Sequence, residues 1–201
     1  MDTIKPFNDI IVRVPQAYTD KLVLPSGFVL HLNTIIRESY DSVRYGEVVA
    51  VPDNCIIDVE VGDILFFHQN ITSIVKMEHG DIDSDYLYEK KQNLYRVPIN
   101  PDWPLIYARD RRGSFKTLDG ICFIRPKIEN KYNTSLVIAD NEQEVTHIGE
   151  IAHISDTLAA QGYKVGDTVL FEKDSEYEFM LNDERLYCMF DKWIYGRIDE
   201  N

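Results

Sequence analysis

The stretches EVGDILFFHQ (residues 60–69) and KVGDTVLFEK (residues 164–173) are near-copies of each other within one chain of 201 residues. Each copy places a valine, a glycine and an aspartate in front of a short apolar run. Glycine adopts positive φ angles without steric cost, and an aspartate can accept backbone N–H groups within its own turn. We therefore predict that each copy forms a tight turn followed by a strand that enters a hydrophobic core.

The sequence around the two copies also repeats. Gly46 and Gly149 lie upstream and are 103 residues apart, while Gly62 and Gly166 are 104 residues apart. The matching segments, in chain order, are PFNDIIVRV (6–14) with TLDGICFIRP (117–126), YGEVVAV (45–51) with IGEIAHI (148–154), and PLIYARD (104–110) with KWIYGRID (192–199). A period of about half the chain predicts two tandem domains rather than a solenoid. We expect these domains at 1–112 and 113–201, with the break in RDRRGSF (109–115).

Most of the remaining sequence is typical of short strands. Segments rich in β-branched and aromatic residues alternate with Gly, Pro, Asn and Asp, which predicts an all-β sandwich or barrel fold. The segment SDTLAAQGYK (155–164) is the exception, and we expect a helical turn there, capped by Ser155 or Asp156 and ended by Gly162. The residues expected in the cores are Val12, Val48, Ile64, Phe66, Phe123, Ile151, Val169 and Phe171.

Composition excludes several classes of function. The net charge of −13 argues against binding to nucleic acid or to an anionic membrane surface, because phosphate contacts need clustered Lys and Arg. The one basic cluster, Arg109, Arg111 and Arg112, is interpreted as a solvated linker. The first residues lack the pattern of a secretory signal, and no apolar run is long enough to span a bilayer. Cys55, Cys122 and Cys188 lack C-x-x-C spacing, which is typical of reduced thiols in a cytoplasmic protein.

Catalytic and metal-binding patterns are weak throughout. His147, Glu150 and His153 are close in sequence, but on a strand Glu150 faces away from both histidines. The acidic segment DIDSD (81–85) lacks the glycine and the final glutamate of a calcium loop, so an acidic solvated loop is expected. No nucleophile elbow, phosphate loop or dinucleotide motif is present. We expect no enzyme activity, no catalytic residues, no metal site and no cofactor.

The ordered set of motifs resembles the chaperonin-10 co-chaperonins, the GroES-like family. The first half has IKPFNDIIVRV, a long segment with SGFVL (26–30), then GEVVAV and VGDILFF, in family order. The second half has LDGICFIRP, TSLVIA, GEIAHI, KVGDTVLFEK and WIYGRI. The resemblance implies two tandem GroES-like β-barrels. The first would carry a long mobile loop and an insertion near 68–95, and the second a shorter loop.

The resemblance also implies a function. A co-chaperonin lid binds a GroEL-type chaperonin through flexible apolar loops and closes its folding chamber over an unfolded client protein. The residues implied at the chaperonin are Gly27, Phe28, Val29 and Leu30, with Leu22, Val23 and Leu24 as a second or alternative anchor, and Leu136, Val137 and Ile138 in the second half. An ordinary hairpin with the apolar residues of the first loop in the core is the alternative interpretation of that loop.

A second class of function stays open at this point. A structural or ring-assembly protein, such as a component of a viral particle, can use the same barrel and also expose apolar loops. Under either interpretation we expect a homo-oligomeric ring, because the family pairs an end strand with a neighbouring subunit's first strand. The expected location is the cytoplasm, with a plastid or the cytoplasm of an infected host cell as alternatives.

Overall fold

A computed structural model of the chain describes residues 4–15, 21–23, 29–31, 42–73, 83–100, 104–130, 142–182 and 184–198. The chain divides into two compact units, Met1–Phe115 and Lys116–Asn201. The division falls directly after the RDRRGSF stretch. Strands dominate both units, and all the strand pairs described are antiparallel. The all-β prediction is therefore confirmed.

Seven strands form the first sheet, in the order β6-β7-β1-β4-β5-β8-β9. A separate two-stranded sheet pairs β2 with β3. Between β8 and β9 the chain reverses through Arg112 and Gly113, which both have positive φ, as a tight two-residue hairpin requires. The bounds are β1 Asp9–Arg13, β2 Lys21–Val23, β3 Val29–His31, β4 Tyr45–Ala50, β5 Ile64–Phe67, β6 Leu87–Glu89, β7 Leu94–Pro98, β8 Ile106–Arg111 and β9 Ser114–Thr117.

Six strands form the second sheet, in the order β13-β14-β10-β11-β12-β15. Their bounds are β10 Ile121–Asn130, β11 Glu142–His153, β12 Thr168–Phe171, β13 Tyr177–Leu181, β14 Glu184–Phe190 and β15 Ile194–Arg197. The single α-helix in the described part of the chain is α1, Asp156–Ala160. Short 3₁₀ helices cover Gln69–Ile71, Lys90–Gln92 and Asp191–Trp193.

The two sheets repeat the same strand order. The run β6-β7-β1-β4-β5-β8 corresponds, strand for strand, to β13-β14-β10-β11-β12-β15. The register repeats as well: Val12 pairs with Val48, and Ile124 pairs with Ile151. One residue further along, an arginine faces a glutamate in both sheets, and each of these pairs forms a salt bridge, Arg13 with Glu47 and Arg125 with Glu150. The duplicated sequence therefore folds into a duplicated hydrogen-bond pattern.

The core predictions are mostly confirmed. Val12, Val48, Phe123, Ile151, Val169 and Phe171 are all buried. The predictions for Ile64 and Phe66 are wrong, because the strand turns its other face inward and buries Leu65 and Phe67 instead. Since side chains alternate along a strand, an error of one residue exchanges the whole set of inward positions.

The helical turn is confirmed in its predicted place. The side chain of Ser155 caps α1 by accepting the N–H of Leu158 at 2.9 Å, and Gly162 follows with a φ of 92°. Leu158 is buried, so the turn is held against the second core. In the part of the chain that the structure describes, no helix is long and apolar enough to cross a membrane.

Candidate functional site

The V-G-D turns have the same glycine conformation and the same turn hydrogen bonds in the two halves. Gly62 has a φ of 94°, and its N–H donates to the carbonyl of Val48 at 2.8 Å. The carboxylate of Asp63 accepts the N–H of Glu60 at 2.9 Å, which closes the turn.

In the second half, Gly166 has a φ of 92° and donates to the carbonyl of Ile151 at 2.9 Å. Asp167 accepts the N–H of Lys164 at 2.9 Å. The turn chemistry predicted from the sequence is confirmed in both copies. It sets the start of β5 in the first sheet and of β12 in the second.

The first predicted binding segment lies between β1 and β4. Within it, β2 and β3 pair so that Leu22 faces Leu30 and Val23 faces Val29. The described residues of the two apolar clusters singled out from the sequence therefore pair with each other between β2 and β3. Leu24, Gly27 and Phe28 lie outside the described residues, so the structure gives no position for them.

Both ends of this segment are fixed to the rest of the first unit. The N–H of Val14 donates to the carbonyl of Asn93 at 3.0 Å. At the other end, the hydroxyl of Thr72 donates to the carbonyl of Val43 at 2.7 Å, and the N–H of Phe67 donates to the carbonyl of Arg44 at 2.9 Å. The segment that carries the hairpin therefore starts and ends at anchored positions.

The corresponding segment of the second half begins and ends on a two-stranded ribbon. Beyond Pro126, β10 and β11 continue to pair, with Ile128 facing Glu144. Glu144 is held by Arg185 and by the hydroxyl of Tyr187. The guanidinium of Arg185 lowers the pKa of Glu144, while burial raises the pKa of Tyr187 to about 12. Leu136, Val137 and Ile138 lie outside the described residues.

The ribbon contains an irregularity at the level of the core. Between the pairs Pro126–Gly149 and Ile128–Glu144 the register shifts, and His147 adopts a φ of 65°. A non-glycine residue at positive φ is uncommon in a strand and marks a bulge. The ring of His147 packs near Phe171 at 6.5 Å between centroids, so the bulge directs an aromatic side chain toward a core residue.

The interpretation of Arg109 and Arg111 as a solvated linker is wrong. Both lie on β8, and Arg109 is buried. Arg109 donates to the carboxylate of Asp58 at 2.7 Å and to its carbonyl at 2.9 Å. Arg111 donates to Asp58 and Asp63, each at 3.0 Å, and lies 3.2 Å from Glu60. Hydrogen bonds from Arg109 and then Arg111 lower the pKa of Asp58.

These contacts tie the loop between β4 and β5 to β8. Burial of Asp63 opposes ionisation, but its hydrogen bonds from Arg111 and from the Glu60 N–H outweigh this and lower its pKa. The spacing of the arginines, on alternate positions of a strand-like segment, was the available sequence signal. It was missed because a run of charges between two domains is also typical of a linker.

A different polar network fixes the loop of the second half. Besides capping α1, Ser155 donates to the carboxylate of Asp191. Burial raises the pKa of Asp191, whose second oxygen has no hydrogen-bond partner among the described residues. Burial also raises the pKa of the neighbouring Cys122 thiol. At the start of α1, Asp119 accepts the N–H and the hydroxyl of Thr157.

The weak metal patterns do not come together. Glu150 binds Arg125, whereas His153 packs edge-on against Phe123 at 6.0 Å between ring centroids. Asp83 binds Lys90 at 2.8 Å, and Asp81 lies outside the described residues. Among the residues that the structure describes, no three His, Cys, Asp or Glu side chains form a group able to hold a metal ion.

Comparison with known proteins gives no independent assignment. No protein-family model matches the chain, and no curated protein matches it in sequence.

Proposed function

We propose that this protein is a co-chaperonin lid made of two tandem GroES-like β-barrels. It forms a homo-oligomeric ring, binds the rim of a GroEL-type chaperonin and closes the folding chamber over an unfolded client protein. The observation that carries the proposal is the repeated strand order with a long connection at the same place in each half. That connection runs from β1 to β4 in the first half and from β10 to β11 in the second.

The anchoring of the first connection supports its role as the binding loop. Hydrogen bonds from Val14 and to Val43 hold its ends, while β2 and β3 pair only with each other in the described part of the chain. A loop held at its base can present Phe28, Val29 and Leu30 to an apolar groove without disturbing the sheet. Gly27 supplies the backbone freedom for that presentation.

Weak single sites suit this task. Any segment that loses conformational freedom on binding gives up part of its contact energy, so each single contact is weak. A ring that presents several loops at once regains affinity through effective concentration. The same weakness allows release when the chaperonin changes state.

The test is a double substitution in the loop, Val29→Asp with Leu30→Asp. Burying carboxylates in an apolar groove has a cost on the order of several kcal/mol, so binding to a GroEL-type chaperonin in the presence of ATP is expected to be lost. The control is Ile56→Asp, which places one negative charge on an exposed apolar residue of another loop. Binding and circular dichroism are measured for all three proteins.

Three outcomes separate the interpretations. Loss of binding in a folded double variant, with normal binding by the control, supports the lid. A double variant that unfolds places these residues in the core. If the folded double variant still binds, the anchor lies elsewhere in the loop. The pair Leu22→Asp with Leu24→Asp then tests the first apolar cluster. The pair Leu136→Asp and Val137→Asp asks whether the second half also contacts the chaperonin.

A further inference from the structure

The outer ends of β10 and β11 form a two-stranded arm on the second unit. The arm comprises residues 128–130 of β10 and 142–144 of β11, which pair with each other. In the described part of the chain, β14 pairs with β10 only as far as Ile124, and β12 pairs with β11 only from Ile148 onward. The connection between β10 and β11 starts and ends on the arm, so the direction of the arm sets where that connection leaves the second unit.

The arm joins the sheet through an irregular segment, which we call the hinge. Four residues of β11, 145–148, lie opposite the single residue Lys127 of β10. His147 in this segment has a φ of 65°, which is uncommon for a residue other than glycine, and its Nδ1 is buried without a hydrogen-bond partner among the described residues. On β10, Pro126 has no N–H to donate. Because the ladder is interrupted on both strands at one level, bending there breaks few hydrogen bonds.

Side-chain contacts tie the arm to β14, although β10 lies between β14 and β11 in the sheet. Glu144 of the arm accepts hydrogen bonds from the guanidinium of Arg185 and from the hydroxyl of Tyr187, and we call these contacts the Glu144 latch. Arg185 also donates to Glu178 at 3.1 Å. Because Arg185 lowers the pKa of Glu144, the carboxylate is ionised and the latch is closed near neutral pH.

The latch joins a fixed point on the sheet to a partly exposed ion pair. The ring of Tyr187 is buried in the second core, so its hydroxyl cannot follow a moving arm. The side chains of Glu144 and Arg185 are 37% and 39% exposed, so water screens their attraction. Opening the latch therefore replaces these contacts by water and leaves the core in place.

The first half is built differently at the corresponding position. The sequence RLY at 185–187 corresponds to NLY at 93–95, because each tyrosine pairs with the equivalent core residue of β10 or β1. Asn93 therefore stands in place of Arg185 and carries no charge. Its carbonyl accepts the N–H of Val14. The first connection is thus held at its base by a backbone hydrogen bond, whereas the second is held further out by charged side chains.

We infer that the arm is a movable element, which the Glu144 latch holds against the second sheet and which swings about the hinge when the latch opens. In the free protein the closed latch keeps the connection between β10 and β11 in one direction. A partner that binds this connection more tightly in the open state shifts the arm toward that state, since a ligand favours the conformation for which it has the higher affinity.

Only the consequence for binding rests on the proposed function. The hinge and the latch are properties of the second unit by itself, and their test contains no chaperonin. Failure of the lid therefore leaves the movable arm standing. An arm that proves rigid leaves chaperonin binding through the first connection standing.

The experiment measures the distance between the arm and the edge of the sheet. Spin labels are attached at Glu129→Cys on the arm and at Tyr195→Cys on β15, where both native residues are exposed. The background is Cys55→Ser, in which the remaining thiols, Cys122 and Cys188, are buried. Labelled chains are diluted with unlabelled protein, so that only distances within one chain are measured. Double electron–electron resonance is expected to give one narrow distance distribution for the wild-type latch.

Glu144→Ala removes the latch and is expected to broaden this distribution. The population with a displaced arm is expected to rise by about fivefold to tenfold, as for the loss of charge-assisted hydrogen bonds that water partly screens. Tyr187→Phe removes the hydroxyl alone and is expected to act in the same direction with a smaller effect. The matched control is Glu150→Ala, which removes another carboxylate bound by an arginine on β11, but on the sheet side of the hinge.

The control is expected to keep the narrow distribution, and circular dichroism confirms that each variant is folded. A distribution for Glu144→Ala as narrow as that of the wild type, or equal broadening by Glu150→Ala, would overturn the inference. A wild-type distribution already as broad as that of Glu144→Ala would overturn it as well, because the latch would then hold nothing. If Glu144→Ala fails to fold, Tyr187→Phe takes its place in the same comparison.

Discussion

Gly46 on β4 and Gly149 on β11 occupy equivalent positions, and the surroundings of Gly149 explain why a glycine is needed there. A Cβ there would collide with the Cγ2 of Ile124 and would lie 2.6 Å from the carbonyl oxygen of Arg125. Gly46 faces the same obstacle, with the carbonyl oxygen of Arg13 at 2.9 Å. The two glycines first noticed for their spacing are therefore required by close backbone approach rather than by a positive φ.

We predict that Gly149→Ala lowers the free energy of unfolding by about 1–3 kcal/mol, the usual cost of overpacking a core. The control is Gly196→Ala on β15, where a Cβ meets no atom within 4 Å and the φ is not in the positive range. Denaturant unfolding of the two variants and the wild type measures the difference. Equal stability of Gly149→Ala and the wild type would show that β10 and β11 make room for the added Cβ without a cost in free energy.

Asp191 is predicted to make the second unit lose stability as the pH rises. Burial raises its folded pKa above 3.8, and Asp119 nearby raises it further, whereas Ser155 and Cys122 oppose the shift. A group with a raised folded pKa contributes full stability below its unfolded pKa and loses it as the pH rises through the folded value. The variant Asp191→Asn keeps an acceptor for Ser155 and has no charge to bury.

The measurement is the difference in unfolding free energy between wild type and Asp191→Asn from pH 3.5 to pH 8, at constant ionic strength. The difference is expected to shift in favour of the variant as the pH rises. Asp119→Asn is a control for which the opposite dependence of stability on pH is expected. The Thr157 hydroxyl lowers the pKa of Asp119, so this carboxylate stabilises above pH 3.8 and loses its contribution in acid. If the difference in unfolding free energy between wild type and Asp191→Asn does not change with pH, the raised pKa of Asp191 is contradicted.

At the same scale, the wrong assignment of Ile64 and Phe66 was avoidable. Aligning the two V-G-D turns places Leu65 opposite Val169 and Phe67 opposite Phe171, and the latter residues were correctly expected in the core. The duplication therefore held the information needed to choose the inward face. Apolarity alone could not choose, because all four residues from Ile64 to Phe67 are apolar.

Among the elements, the V-G-D turn was the most predictable, since its chemistry is local. Its stabilising partners differ between the halves. Asp63 is almost fully buried and bound by Arg111, whereas Asp167 is more exposed and lies 3.5 Å from Arg197. The same sequence motif is therefore expected to matter more in the first half than in the second.

We predict that Asp63→Ala lowers the unfolding free energy by about 2–3 kcal/mol and Asp167→Ala by about 1 kcal/mol, because lost hydrogen bonds to a buried charge cost more than those to a partly exposed one. Thermal unfolding followed by fluorescence and circular dichroism compares the two variants. Equal losses, or a larger loss in Asp167→Ala, would mean that the contact with Arg111 adds nothing to the turn.

Elements that depend on distant partners could not be foreseen. The arginines of β8 were misread because Asp58 and Asp63 are about fifty residues away in sequence. The network of Ser155, Asp191 and Cys122 joins three separate elements in the same way. Strand β6 lies in the 68–95 segment, where only an insertion was expected, although it corresponds to β13 of the second sheet. The three residues of β6 are too few for a clear alternating pattern.

For the whole molecule, the order of motifs carried more information than any motif alone. Repeated turns and glycines predicted two similar halves, and both sheets have the same strand order. The sequence also predicted the place of the long connection in each half, which runs from β1 to β4 and from β10 to β11. It could not predict the different surroundings of Phe66 and Leu170, because the cover in the first half comes from a strand that follows the hairpin at Arg112 and Gly113.

The most direct test of the proposed lid is electron microscopy of the protein mixed with a GroEL-type chaperonin, with and without ATP. The prediction is a ring-shaped cap on the end of the chaperonin when ATP is present, with the loops between β1 and β4 touching the rim and a closed chamber beneath. Bare chaperonin particles with ATP, at protein concentrations where the cap should saturate, would contradict the lid and favour a structural assembly built on the same fold.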